Sequence, residues 1–75
     1  MISITVGTNT ARRKIVVDPN TTLRKVLTDN GVNPGLGTIF VNATPFAKED
    51  LDKTLAELNI GNDAMVLSIA KADNA

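Results

Sequence analysis

Ile15-Val16-Val17-Asp18-Pro19-Asn20-Thr21-Thr22-Leu23-Arg24-Lys25-Val26-Leu27 contains the change of period that decides the fold. Up to Val17 the side chains alternate, Ile15 and Val17 on one face, Lys14 and Val16 on the other. That is the period of a half-buried strand. Asp18-Pro19 ends it, because proline has no N–H to give to a ladder. From Thr21 the apolar residues Leu23, Val26 and Leu27 fall at i, i+3 and i+4, a helical stripe with Arg24 and Lys25 outside it. A hydroxyl of Thr21 or Thr22 can cap the helix start. Gly31, following Asn30, supplies the left-handed residue that ends a helix.

Upstream, Ile2, Ile4 and Val6 alternate with Ser3 and Thr5, and the polar stretch Gly7-Thr8-Asn9-Thr10 joins this strand to the next as a hairpin. Downstream, Asn33 to Gly37 reads as a loop and Thr38 to Asn42 as a third strand, with Ile39 and Val41 facing one way and Phe40 the other. Thr44-Pro45 is expected to turn the chain and Phe46 to return to the core. Leu51, Leu55 and Leu58 at helical spacing predict a short helical element over Asp52 to Asn59. Gly61-Asn62-Asp63 is a turn, and Met65, Leu67 and Ile69 alternate with Val66 and Ser68 in the last strand. For one sheet to close over the helix, the first and last strands must be neighbours, which a right-handed crossover permits. The expected fold is α+β: a roll with a four-stranded mixed sheet packed on one helix plus a short helical turn. It forms a single domain over residues 1–70, followed by a flexible polar tail at 71–75.

Composition narrows the chemistry. The chain has 75 residues, with no His and no Cys. Its length allows one small domain. Without His, the usual general base near neutral pH and the commonest metal ligand are missing. Without Cys there is no disulfide and no thiolate site, which fits a cytoplasmic protein. Ser3 and Ser68 have no histidine to activate them, so a nucleophilic triad is excluded. Nothing in the sequence resembles a signal peptide or a membrane-spanning run, so neither is expected. The sequons at Asn20 and Asn42 read as chance matches in that context.

The eight cations balance the eight acids, yet unevenly along the chain. Residues 1–37 carry five basic and two acidic side chains, a net +3, and residues 38–75 carry three and six, a net −3. Overall neutrality argues against general polyanion binding.

The stretch Ile15 to Leu23, in which a strand runs through a proline into a threonine-capped helix, resembles the ubiquitin-like β-grasp family. Ile39-Phe40-Val41-Asn42 is similar to that family's third strand, and Lys53-Thr54-Leu55-Ala56-Glu57-Leu58-Asn59-Ile60 to the turn before its last strand. The small sulfur carriers of thiamine and molybdopterin synthesis share the plan. The resemblance implies a β-grasp roll and recognition through an apolar surface patch that includes an outward residue of the third strand. Conjugating modifiers and sulfur carriers end in Gly-Gly, whereas this chain ends Lys71-Ala72-Asp73-Asn74-Ala75. The expectation is therefore a module competent for neither conjugation nor sulfur transfer. Iron–sulfur members of the fold use four cysteines, which are missing.

Three groups of residues are candidate sites. Phe40 matches the patch position, with Val66 and Ser68 expected outward on the last strand and Val16 extending the surface from strand two. The structural alternative tucks Phe40 under the middle loop. Arg12, Arg13 and Lys14 form a basic cluster able to meet phosphate or an acidic partner. Equally, they protect an exposed hairpin edge against sheet-to-sheet pairing. Glu49, Asp50 and Asp52 match no calcium loop and read as acids at the start of a helical turn. No cofactor or metal is expected.

The function these features favour is a non-enzymatic module, a monomer or weak homo-oligomer, that binds another protein. A nucleic-acid accessory protein using the basic cluster is one alternative. A structural or assembly subunit, for instance of a viral particle, is another.

Overall fold

The computed structural model describes residues 1–35 and 37–70. The polar tail expected over 71–75 lies outside the described residues. Strands β1 (Ile2–Thr8) and β2 (Arg12–Val17) form the amino-terminal hairpin, in antiparallel register with Ile4 opposite Ile15 and Val6 opposite Arg13. The Thr8 N–H donates to the Ala11 carbonyl at 2.7 Å, which closes the turn. Gly7 is a steric requirement of that closure, since a Cβ there would stand 2.7 Å from the Cα of Arg12.

Helix α1 (Leu23–Asp29) begins at Thr22, whose hydroxyl accepts from the Lys25 N–H at 3.2 Å. Its stripe of Leu23, Val26 and Leu27 is buried, and Gly31 takes the left-handed conformation at φ +74°. The chain then enters β3 (Gly37–Val41), β4 (Thr44–Phe46), a 3-10 turn (Lys48–Asp52) and β5 (Met65–Ala70). The strand order is β2-β1-β5-β3-β4, with β1 and β5 parallel and the other pairs antiparallel. First and last strands are indeed central neighbours. Between the sheet and α1, Ile4, Val6, Val26, Leu27, Ile39 and Val41 join Leu51 and Leu55 in one core, with Phe46 packed against it.

The sheet has five strands where four were expected. Thr44-Pro45 does not turn the chain: Asn42 and Ala43 do, with φ of +51° and +71°, and Thr44 pairs back to Val41. Positive φ at both central residues is the geometry of a two-residue hairpin turn whose twist suits antiparallel strands. Proline is tolerated in β4 because this is the sheet's edge, where a missing donor leaves no ladder bond unmade. Ala43 is strained in that conformation. Left-handed backbone costs a non-glycine residue about 1–2 kcal/mol, partly offset by glycine's greater entropy loss. Ala43→Gly is expected to stabilise the fold by about 0.5–1 kcal/mol, read as a higher urea midpoint at unchanged slope.

The helical element also lies earlier than the leucine spacing suggests. The 3-10 turn occupies Lys48–Asp52, and residues 55–59 make successive turns. They are anchored by a bridge between Thr22 and Thr54. Thr54 and Glu57 bond reciprocally: the Thr54 N–H donates to Glu57 Oε1 at 2.9 Å, and the Glu57 N–H to the Thr54 hydroxyl at 3.1 Å. The backbone bond from Thr54 is the main cause holding the Glu57 carboxyl below its ordinary value, with the Thr54 hydroxyl and nearby Lys53 adding to it. A carboxyl lowered in the folded state adds stability that is present above its unfolded pKa, roughly 4.3, and is lost as pH falls through the folded value. Wild type should therefore lose more stability than Glu57→Gln between neutral and acidic pH. Urea midpoints of both proteins at pH 7 and about pH 3 measure the difference.

The last strand corrects the expected facing. Val66 and Ser68 do not point outward: Val66 is fully buried in the core, and the buried Ser68 hydroxyl donates to the Asn33 carbonyl at 3.4 Å. The phase is set by the neighbours. Val66 stands opposite the core residues Val6 and Val41, and Ser68 opposite Ile39. Adjacent positions in a ladder share a face, so Met65, Leu67 and Ile69 are turned to the other side.

Candidate interaction surface

Helix α1 and the 3-10 turn cover one face of the sheet, through Leu23, Val26, Leu27 and Leu51. The other face follows from register alone. One row runs across all five strands: Arg12, Gly7, Leu67, Phe40 and Pro45. Beside it, Lys14, Thr5 and Met65 form a second row, and Thr38 pairs with Ile69 on the far side. The centre of this face is thus apolar, with cations toward the β2 edge. A sheet face turned to water ordinarily alternates to polar residues, and β5 does not.

Phe40 sits on this outer face, half-buried beside Leu67, rather than in the core cluster. Leu67 retains 9% exposure and is the buried centre of the row, while Met65 is 38% exposed. Gly7 carries no side chain, so the row has a notch between Arg12 and Leu67. Met65 is fixed by the strained turn: its N–H donates to Asn42 Oδ1 and its carbonyl accepts from the Asn42 N–H, both at 2.9 Å. Val16 shares the face and is 66% exposed, but it stands opposite Ser3 at the far corner, separated from Phe40 by β1 and β5.

Of the residues expected to gather here, Phe40 is central, Val16 is peripheral, and Val66 and Ser68 are in the core. Leu67, Ile69 and Met65 take their place. Their alternation in the sequence was plain, but it matches either facing of a central strand. The even phase running from Ala64 to Val66, both buried, is the signal that distinguishes them.

The basic cluster divides between faces. Arg12 and Lys14 lie on the outer side, Arg13 on the helix side opposite Val6. Among the described residues the ion pairs use Arg24, Lys25 and Lys53, and none involves Arg12, Arg13 or Lys14. The acidic group has structural employment. Asp52 holds Arg24 at 3.0 Å, while Asp50 pairs with Lys53 at 3.4 Å and accepts from the Ala47 N–H at 3.2 Å.

A mixed five-stranded sheet in this order, wrapped on one helix, defines the ubiquitin-like β-grasp fold. Among solved structures, a protein designed de novo on the basis of ubiquitin matches with a TM-score of 0.69 and 18% identity, over 97% of this chain and 92% of that one. At that identity the likeness shows the fold. No family model and no curated protein sequence matches the chain. No helix among the described residues is long and apolar enough to cross a membrane.

Proposed function

We propose that this chain is a small non-catalytic ubiquitin-like module that binds another protein through the outer sheet face centred on Phe40 and Leu67. The row Arg12, Gly7, Leu67, Phe40, Pro45 carries this reading. It joins an apolar centre to cations at one end, on the face opposite the helix. Apolar patches rimmed by polar groups mark docking sites, and aromatic residues at their centre carry a disproportionate share of the energy. The roles follow from position. Phe40 and Leu67 supply the buried anchor, Met65 and Ile69 widen it, and Arg12 and Lys14 bias the approach of an acidic rim. The module acts as a monomer or weak homo-oligomer, without cofactor.

Phe40→Asp tests this. The substitution puts a carboxylate at the centre of the contact, and recovery of a partner from the native source on immobilised protein should fall at least tenfold, as loss of a hot-spot residue implies. Circular dichroism of the variant checks that the fold is retained. Equal recovery on wild type and Phe40→Asp removes this face as the anchor. A nucleic-acid role is less well supported, because the three cations of β2 do not form one surface.

A further inference from the structure

A second feature lies on the helix side of the β1–β2 hairpin, where its turn meets the end of α1. A pocket of about 190 Å³ is lined there by residues that include Gly7, Thr8, Arg12, Arg13, Gly31 and Val32. Sites for nucleotides and drug-sized cofactors are larger, about 300–1,000 Å³. The pocket suits one small group.

The electrostatics select the sign. Among the described residues, two arginines and no carboxylate line the pocket, and neither arginine has an ion-pair partner. Asp29, the last residue of α1, is held by Lys25 at 3.1 Å. The carbonyl end of a helix would ordinarily repel an anion. Here three of those carbonyls already accept hydrogen bonds. Val26 O accepts from Asn30 Nδ2 at 2.7 Å, Leu27 O from the Asn30 and Val32 N–H groups at 3.1 and 2.9 Å, and Thr28 O from the Gly31 N–H at 3.1 Å. The Asn30 side chain thus acts as an internal cap that masks the negative end of α1 beside the arginines.

We infer that this pocket is a site for one small oxyanion, a phosphate or a carboxylate head group, gripped by the Arg13 guanidinium with Arg12 adding charge at the rim. A planar fork of N–H donors matches either head group in two-pronged fashion. The site lies at the hairpin end and shares Gly7 and Arg12 with the end of the Phe40 row, while Arg13, Asn30, Gly31 and Val32 lie outside that row.

Titration of the isotope-labelled full chain with sodium phosphate and, separately, sodium acetate tests it, against sodium chloride at equal ionic strength. Saturable amide shifts confined to Gly7, Thr8, Arg13, Gly31 and Val32 are expected. Saturation by phosphate alone assigns the site to a phosphate group, by acetate alone to a carboxylate, and by both to oxyanions in general. Arg13→Gln should weaken binding about tenfold, the loss of one charge-assisted bond, whereas Arg24→Gln, which disturbs only the ion pair with Asp52, should leave it unchanged. The spectrum of the unliganded variant shows whether Arg13→Gln is folded, and Arg13→Thr replaces it if not. Shifts that do not saturate, that match chloride, or that persist in the folded Arg13 variant overturn the proposal.

Discussion

Val66→Asp is expected to abolish the cooperative unfolding transition at neutral pH, while Met65→Asp, one residue away, keeps the fold and most of its stability. Val66 is fully buried between Val6 and Val41, and Met65 is 38% exposed on the outer face. Placing an unpaired carboxylate in the core costs several kcal/mol even after relaxation, and the lost burial of valine adds about 1.5–3 kcal/mol. A domain of this length holds roughly 4–11 kcal/mol in total. The substitution therefore consumes most or all of it. Thermal and urea melts of the two variants measure the contrast. Equal stability, or a more stable Val66→Asp protein, would show that β5 faces the other way.

Leu27→Ala should cost about 2–5 kcal/mol, the range for emptying a buried leucine site that can only partly collapse. Its side chain is fully buried, and α1 has only seven residues. A helix that short has little stability of its own, so its hold on the fold is the stripe Leu23, Val26 and Leu27. The expected fall in Tm is at least ~10 °C. Lys25→Ala, which breaks only the exposed pair with Asp29, should change stability by less than about 0.5 kcal/mol. A loss for Leu27→Ala as small as that for Lys25→Ala would contradict the packing described.

Features carried by local chemistry are legible in the sequence. A threonine cap at Thr21 or Thr22, the stripe on α1, the left-handed Gly31 and the hairpin from Ile2 to Val17 each follow from a few adjacent residues. That β1 and β5 are neighbours followed from the need to close the sheet over one helix; their parallel direction is shown by the register. Features set by long-range register were not legible. Met65 to Ile69 is apolar at both phases, so only its position between β1 and β3 decides which residues enter the core. Ser68 reads as an outward polar residue, yet the Asn33 carbonyl satisfies its hydroxyl on the inner side. β4 was missed because Pro45 argues against a strand, and only its place at the sheet edge makes it acceptable. The same gap displaced the candidate site. Phe40 could be assigned to it because strand three alternates cleanly, whereas Leu67, its neighbour across the ladder, could not.

The claim that rests on this register is that partners dock on the outer face. A photoreactive benzoylphenylalanine placed at position 40, and in a second protein at position 24 on the exposed side of α1, tests it directly in extract from the native source. A discrete adduct is predicted from position 40 that excess wild-type chain competes away, with none from position 24. Competed adducts from position 24 alone, or none from position 40, would contradict it.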